Sequence, residues 1–134
     1  MANMKIVIAG CRDYDNYGEA EPRLAAVLAE LAPDGDVTVI SGGCRGADKI
    51  GERYAREHGL EVIAFPADWK KHGRAAGPIR NAQMAKEADA AVCFWDGKSR
   101  GTKSMLECVA KAGKVFRVID IPVNSQSKCN SSKR

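Results

Sequence analysis

Three short segments combine glycine, arginine and aspartate in a pattern suited to binding an anion. They read GCRDYDNYG from Gly10, SGGCRGAD from Ser41 and WDGKSRGT from Trp95. Glycine lets the backbone approach a ligand closely, arginine pairs with phosphate groups, and a helix that begins in such a segment presents unpaired amides. Each segment alone also fits an ordinary turn, so the chemistry depends on whether the fold brings the three together.

The segment SGGCRGAD is the strongest of the three candidates for a phosphate site. Gly42, Gly43 and Gly46 surround Arg45 and precede a predicted helix whose first amides have no partner within the helix. A plain tight turn is the alternative, because this glycine spacing is a weak signal when it stands alone. Asp48 either contacts the ligand or caps the helix.

The segment WDGKSRGT supplies a second candidate site, for another phosphate or a ribose. Asp96 and Gly97 indicate a turn, after which Ser99 and Thr102 offer hydroxyl groups either to a ligand or to the helix N-terminus. The segment lacks the GxxxxGK[ST] pattern of a Walker P-loop, and the first segment has only Gly10 of a GxGxxG dinucleotide fingerprint. Both absences argue against P-loop and ordinary NAD-dehydrogenase functions.

A basic stretch at 66–81 adds aromatic and cationic side chains. Trp69 either stacks on a nucleotide base or packs beneath a surface loop. Arg80 and Asn81 lie in the first turn of a predicted helix, where Arg80 could pair with a phosphate. With the adjacent Lys49 and Lys103 included, ten basic residues outnumber five aspartates across the four segments, so their net charge of +5 exceeds the +4 of the whole chain. This asymmetry favours an anionic ligand. The candidate ligand-binding residues are Gly10, Arg12, Ser41, Gly42, Gly43, Arg45, Gly46, Asp48, Trp69, Arg80, Asn81, Asp96, Ser99, Arg100, Gly101 and Thr102.

The predicted elements would bring the glycine-containing segments together. Apolar runs predict strands, and helical periodicity with Gly or Pro boundaries predicts the helices between them. The strands are expected at 5–9, 37–41, 61–65, 90–94 and 115–119, and the helices at 19–32, 47–58, 78–88 and 102–112. Their alternation implies right-handed βαβ units, and hence an α/β fold with a Rossmann-like, doubly wound parallel sheet of order 3-2-1-4-5. Ligands bind such sheets at the carboxyl ends of the strands, where the loops after strands 1, 2 and 4 would meet.

The composition fits one small domain. The 134 residues predict a single domain over 1–122 and a polar tail over 123–134 that is expected to be disordered. No apolar run is long enough for a membrane helix or resembles a signal peptide, so no membrane partner is expected. The five cysteines form no CxxC pair, which favours reduced thiols in the cytoplasm and argues against a metal site or resident cofactor. Cys44 has no histidine nearby in the sequence and is interpreted as a small loop side chain rather than a nucleophile.

Four motifs resemble the SLOG superfamily, named for Smf/DprA and LOG proteins, and in particular its small stand-alone YspA-like, YpsA-related branch. In order they read SGGCRGAD, FPADW, GPIRNAQM and DGKSRGT, and the resemblance covers about residues 5–120. It implies a Rossmann-like fold that binds nucleotides or nucleotide-derived ligands. The residues that match the first glycine loop are Gly42, Gly43, Arg45 and Gly46, and those that match the second are Gly101 and Thr102.

The enzymes of that superfamily are phosphoribohydrolases, which cleave a nucleoside monophosphate into base and ribose phosphate. The resemblance implies an arginine, which Arg80 could supply, and a glutamate two or three residues beyond the threonine. This chain has Ser104 and Met105 at those positions, and Glu107 falls on a different side of the helix. Hydrolysis would therefore need another carboxylate, for which the candidates are Asp13, Asp48 and Asp96.

Three functions follow from these patterns. The main prediction is a module that binds a phosphorylated nucleotide or nucleotide-derived ligand, NAD- and ADP-ribose-related molecules among them, as a sensor, carrier or sponge. The alternatives are an N-glycosidic hydrolase and a single-stranded nucleic-acid binder, the last disfavoured by the interleaved aspartates and few aromatic residues. The resemblance also suggests a homodimer or higher homo-oligomer, although the small residues Ala82, Ala85 and Ala88 are expected to pack on the sheet.

Overall fold

Five parallel strands form the centre of the molecule, whose computed structural model describes residues 3–122. The strands are β1 (Met4–Gly10), β2 (Val37–Ser41), β3 (Glu61–Ala64), β4 (Ala90–Trp95) and β5 (Val115–Asp120). Their order in the sheet is β3-β2-β1-β4-β5, which confirms the predicted topology. Val7 of β1 pairs with Ile40 of β2 and with Ala91 of β4, so β1 lies at the centre of the sheet.

Helices cover both faces of this sheet. The long helices are α1 (Tyr17–Leu31), α2 (Ala47–Glu57), α4 (Ala76–Glu87) and α5 (Arg100–Lys111), close to the predicted bounds. A short helix α3 (Trp69–His72) and a 3-10 turn (Gly73–Ala75) occupy part of the segment that was predicted to be a loop. The 3-10 turn leads directly into α4, which therefore begins two residues before the predicted start at 78.

The alternation of side chains along each strand divides the core into two layers. Ile6 and Ile8 of β1 face α1 and α2, where Leu24 is fully buried, whereas Val7 and Ala9 face the opposite layer. That opposite layer contains the buried side chains of α4 and α5, with Met84 among them. Because both faces of the sheet are covered, its central strands read as nearly continuous apolar runs.

One of the three small residues that were expected to pack on the sheet does not do so. Ala85 and Ala88 are buried in the core as expected, but Ala82 is exposed, so the prediction that it packs on the sheet is wrong. The buried stripe of α4 follows Asn81, Met84 and Ala85, and Ala82 lies on the flank of that stripe. The predicted tail at 123–134 lies outside the described residues. Within residues 3–122, no helix is long and apolar enough to cross a membrane.

Candidate functional site

The loops after β1, β2 and β4 meet at the carboxyl ends of the strands and enclose a small cavity there. The backbone amide of Cys11 donates to Phe94 O at 3.0 Å, and the amide of Ala47 donates to Cys11 O at 3.1 Å, so the three loops are joined by their backbones. The cavity has a volume of about 60 Å³, enough for a few water molecules or one compact polar group. The predicted site residues that line it are Gly10, Arg12, Asp48, Arg80, Asn81, Gly101 and Thr102.

Two glycines allow the loops to approach each other this closely. A Cβ atom on Gly10 would lie 2.3 Å from Phe94 O, and one on Gly46 would lie 2.4 Å from Arg12 O. Gly46 also has a φ of 78°, in the left-handed region that favours glycine, and it is the residue from which α2 begins. Packing between neighbouring loops therefore accounts for these two glycines, whatever ligand the cavity binds.

The loop after β2 uses much of its hydrogen-bonding capacity internally. The amide of Gly43 donates to Ser41 Oγ at 3.1 Å, and the amide of Cys44 donates to Asp48 Oδ2 at 3.1 Å. Ser41 is fully buried and donates in turn to Glu52 Oε2 at 2.6 Å. These contacts fix the loop, and they leave fewer of its amides available to a phosphate than the glycine spacing had suggested.

Arg80 forms one wall of the cavity and is 7% exposed. Its Nη1 donates to Gly42 O at 2.7 Å, its Nε donates to Asn81 Oδ1 at 3.0 Å, and its Nη2 lies 3.8 Å from Cys44 Sγ. Asn81 in turn donates from Nδ2 to Ser104 Oγ at 3.3 Å. The guanidinium is therefore held in one orientation, which is the preorganisation that an anion site requires.

Asp48 supplies a carboxylate to the same cavity and is 5% exposed. Burial raises its pKa to about 6, an effect that the hydrogen bond from the Cys44 amide and the charges of Arg80 and Arg12 offset only in part. The nearby charge of Glu52 acts in the same direction as burial. Asp48 therefore changes protonation state close to neutral pH, as carboxyl groups in functional sites often do.

The N-terminus of α5 forms the opposite part of the cavity. Ser99 is the N-cap and its Oγ accepts from Thr102 Oγ1 at 3.1 Å, while Asp96 Oδ1 accepts from the amides of Lys98 and Ser99 at 2.8 and 2.9 Å. Partial burial opposes ionisation of Asp96, but these two amides together keep its pKa below the ordinary value.

Two backbone amides at this helix end remain available. The amides of Arg100 and Gly101 donate to none of the described residues. Gly101 is exposed and a Cβ added to it would meet no atom within 4 Å, and the neighbouring Thr102 is 3% exposed. Free amides at a helix N-terminus are the groups that bind anions.

Nine of the predicted residues lie outside the cavity lining. Arg45 points into solvent with its side chain 72% exposed and lies 3.4 Å from Asp13 Oδ1, and Trp69 is 52% exposed at the start of α3. The others lie at the ends of β2 and α5 or in the loops beside them: Ser41, Gly42, Gly43, Gly46, Asp96, Ser99 and Arg100. Contact of Arg45 and Trp69 with a ligand therefore remains a prediction.

Four cavity residues were not among the predicted set, namely Ala9, Cys44, Met84 and Met105. The Cys44 thiol lies between two guanidiniums, 3.8 Å from Arg80 Nη2 and 4.0 Å from Arg12 Nη2. The signal that could have placed Cys44 is its position between Gly43 and Arg45 in a candidate ligand loop. The methionines carried no such signal, because an apolar residue on a predicted helix is expected to lie in the hydrophobic core.

Within the described residues, no group of three or more His, Cys, Asp or Glu side chains could hold a metal ion.

Sequence comparison identifies relatives of this chain. A family model described as "YAcAr: YspA, cpYpsA-related SLOG family" matches residues 4–72. The Gene 61 protein of Mycobacterium phage D29 is 36% identical over 115 residues, which cover 81% of this chain and 90% of the phage protein.

Three solved structures are similar in fold. TM1055, a structural-genomics target, has a TM-score of 0.61 at 19% identity, and the match covers 86% of this chain and 72% of the TM1055 chain. DNA processing protein A (DprA) of Streptococcus pneumoniae has a TM-score of 0.65 at 17% identity over 92% of this chain and 52% of its own. The structure of Helicobacter pylori DprA is described as showing a single-stranded DNA binding mode. It has a TM-score of 0.62 at 19% identity, and the match covers 90% of this chain and 67% of that DprA chain. At these identities the likeness shows a shared fold.

Proposed function

This chain belongs to the YspA, cpYpsA-related SLOG family, and we propose that it binds a phosphorylated nucleotide or nucleotide-derived ligand in the cavity at the carboxyl ends of β1, β2 and β4. Molecules related to NAD or ADP-ribose are the candidates. The protein would act as a sensor, carrier or sponge for such a ligand rather than as a catalyst.

The observation that carries the proposal is the meeting of two guanidiniums with a helix N-terminus at one cavity. Arg80 is buried and held by three contacts, while Arg12 is exposed and lines the same cavity, with its Nη2 4.0 Å from Cys44 Sγ. Gly101, whose amide donates to none of the described residues, lines the cavity from α5, and the equally unpaired amide of Arg100 precedes it in the chain. Arginine pairs with phosphate through charge-assisted hydrogen bonds, and helix N-terminal amides stabilise negative charge, so the two parts of the cavity select the same chemistry.

The size of the cavity indicates which part of the ligand it holds. The cavity, with a volume of about 60 Å³, has room for a phosphate group and opens toward the surrounding loops. The sugar and base would therefore extend across the loops that border the cavity, where Arg12 and Arg100 are exposed. Exposed arginines can also pair with further phosphates, which fits ligands that carry more than one.

Binding is favoured over hydrolysis by the position of the carboxylates. Glu107, the nearest glutamate after Thr102, is exposed on α5 and does not line the cavity. Among the described residues, the cavity contains the carboxylate of Asp48, which neighbours two guanidiniums, and no second acid with which to divide the acid and base roles.

Thermal unfolding of the purified protein across a panel of nucleotides tests the proposal. The panel contains AMP, GMP, CMP, UMP, NAD and ADP-ribose, each at millimolar concentration, and any nucleotide that stabilises the protein is then titrated by calorimetry. We expect at least one to raise the midpoint of unfolding, because a ligand that binds the folded state at a concentration well above its Kd stabilises it.

A matched pair of arginine variants locates the binding site. Arg12→Gln removes a charge from the cavity and should weaken binding about tenfold or more, as expected when a charge-assisted contact to phosphate is lost. Arg56→Gln removes an exposed charge from α2, outside the cavity lining, and should change the affinity less than about threefold. Equal losses in both variants would contradict the assigned cavity, and no response to any nucleotide would contradict the function.

A further inference from the structure

A carboxylate in a cavity for anions is an unusual feature, and Asp48 is that carboxylate. Its side chain lines the same cavity as Arg12 and Arg80 and is 95% removed from solvent. An ionised carboxylate repels a phosphate group, so its presence weakens binding unless it changes which phosphate groups are bound. The following inference rests on the proposed function and concerns the charge of the ligand.

Gly42 shows how close the two opposite charges are. A methyl group at this glycine would approach both Arg80 Nη1, at 2.7 Å, and Asp48 Oδ2, at 2.9 Å, so the guanidinium and the carboxylate both border the space beside Gly42. Asp48 Oδ2 also accepts from the Cys44 amide at 3.1 Å. The carboxylate is therefore anchored to the backbone of the loop after β2.

The charged groups that act on Asp48 come from three elements around it: Arg12 after β1, Glu52 on α2 and Arg80 on α4. The backbone amide of Cys44 donates to its carboxylate, and the carboxylate in turn acts on the Cys93 thiol of β4. Cys93 is buried, which raises the pKa of its thiol to about 12 and keeps it neutral. Glu52 is engaged by Ser41 and by Lys49 Nζ, at 3.2 Å. The cavity lining itself thus contains two positive charges and one negative charge, a net charge of +1.

A site of net charge +1 favours a singly charged ligand group. The attraction between a ligand and the site grows in proportion to the charge of the ligand, whereas the cost of removing an ion from water grows with the square of that charge. A phosphodiester carries one negative charge at neutral pH, whereas a terminal phosphomonoester, with a second pKa near 6, carries almost two. For the second negative charge of a phosphomonoester, the added attraction to the cavity is smaller than the added loss of hydration free energy, because the negative charge of Asp48 cancels the positive charge of one of the two guanidiniums.

We infer that Asp48 makes the cavity selective for a singly charged phosphodiester or bridging phosphate over a dianionic terminal phosphate. The ligand class is then a nucleotide whose phosphates are linked on both sides, as in a dinucleotide or a nucleoside diphosphate sugar. A single cavity of about 60 Å³ fits one such group of a small molecule better than the repeated phosphates of a polymer.

Two small esters test this selectivity without assuming a base. Dimethyl phosphate and methyl phosphate are titrated into ¹⁵N-labelled protein at pH 7.5, with the amides of Gly101 and Thr102 as reporters. Wild-type protein should bind the diester at least about threefold more tightly than the monoester. Asp48→Asn should tighten methyl phosphate about tenfold, because one repulsive charge at short range is removed, and should tighten dimethyl phosphate much less. Asp13→Asn, the same change at an exposed carboxylate outside the cavity, should leave the ratio unchanged.

The outcomes separate this inference from the proposed function. If the monoester binds wild-type protein more tightly, or if Asp48→Asn leaves the ratio unchanged, the selectivity is wrong although the cavity still binds phosphate. If neither ester moves the reporter amides and no nucleotide binds, the proposed function itself fails. A salt-dependent gel shift with single-stranded DNA would overturn the assignment to a small ligand.

A measurement on wild-type protein keeps the inference testable if the variant fails to fold. Sulfate retains two charges throughout the accessible pH range, so any pH dependence of its binding comes from the protein. Because Asp48 loses its charge as the pH falls below 6, sulfate should bind about tenfold more tightly at pH 5.0 than at pH 7.5. Equal affinities at the two pH values would overturn the role of Asp48.

Discussion

Replacement of Asp48 by asparagine should stabilise the protein at neutral pH, although Asp48 lies in the candidate site. The carboxylate is buried, and its pKa is raised from 3.8 to about 6, chiefly by burial. A raised pKa means that the folded state favours the protonated form. The resulting contribution to stability is complete below about pH 4 and is lost as the pH rises through about 6, so ionised Asp48 costs stability at pH 7.5.

The size of this cost follows from the shift. Each pKa unit corresponds to about 1.4 kcal/mol, so the folded state forfeits about 3 kcal/mol when Asp48 ionises fully. Asparagine is neutral and keeps an oxygen for the Cys44 amide, but that hydrogen bond is weaker than one to a carboxylate, by about 1 kcal/mol. We therefore expect Asp48→Asn to raise the free energy of unfolding by about 1 to 3 kcal/mol at pH 7.5.

Urea denaturation of wild type and variant at pH 7.5 and pH 5.0 measures the effect. The advantage of the variant should shrink by about 1 to 2 kcal/mol at pH 5.0, because wild-type Asp48 is then mostly protonated. Asp13→Asn, at an exposed site, should show no such pH dependence. If Asp48→Asn is less stable than wild type at pH 7.5, or if the difference does not change with pH, then the pairing with Arg80 outweighs burial and the reasoning is wrong.

Three further predictions concern backbone packing, helix capping and catalysis. Gly46→Ala should lower the free energy of unfolding by more than about 2 kcal/mol in the urea assay, because the added Cβ would lie 2.4 Å from Arg12 O. Gly35 has a similar φ of 75°, but a Cβ there would meet no atom within 4 Å. Gly35→Ala is therefore the control and should lower the free energy of unfolding by only about 1 kcal/mol. Lys114→Met should cost about 1 to 2 kcal/mol by thermal unfolding, since Lys114 Nζ donates to three carbonyls at the end of α4; a loss under about 0.5 kcal/mol would contradict this role. Nucleoside monophosphates incubated with the protein should release no free base by chromatography, and steady release would restore the hydrolase alternative.

The fold could be predicted because the same strand-and-helix alternation runs along the whole described chain. Apolar runs alternate with amphipathic helices, and handedness then leaves few arrangements, so the strand order followed from general rules. The short α3 at Trp69–His72 could not be predicted, since four polar and aromatic residues have no helical period. Asp68 caps it by accepting from the Lys71 amide at 3.1 Å, which is a local contact that propensity alone does not reveal.

The candidate site could be predicted in its location but not in its details. Convergence of three loops placed Arg12, Asp48 and Thr102 at one cavity, because the carboxyl ends of neighbouring parallel strands must lie together. Which way each side chain points within a loop depends on backbone turns that the sequence pattern does not specify. Arg45, one residue from Cys44, faces solvent while Cys44 faces the cavity.

The two glycine loops, alike in sequence, differ in what their amides do. In the loop after β2, amides of Gly43 and Cys44 bind side chains of the protein itself, and the glycines are needed for packing and turning. In the loop after β4, Asp96 and Ser99 accept the hydrogen bonds of the turn, and the amides of Arg100 and Gly101 donate to none of the described residues. A glycine-rich loop therefore indicates an anion site only when its amides are not already used. By that criterion, we expect a phosphate to bind at the N-terminus of α5 rather than at the loop after β2, whose Cys44 amide instead holds Asp48 beside the cavity.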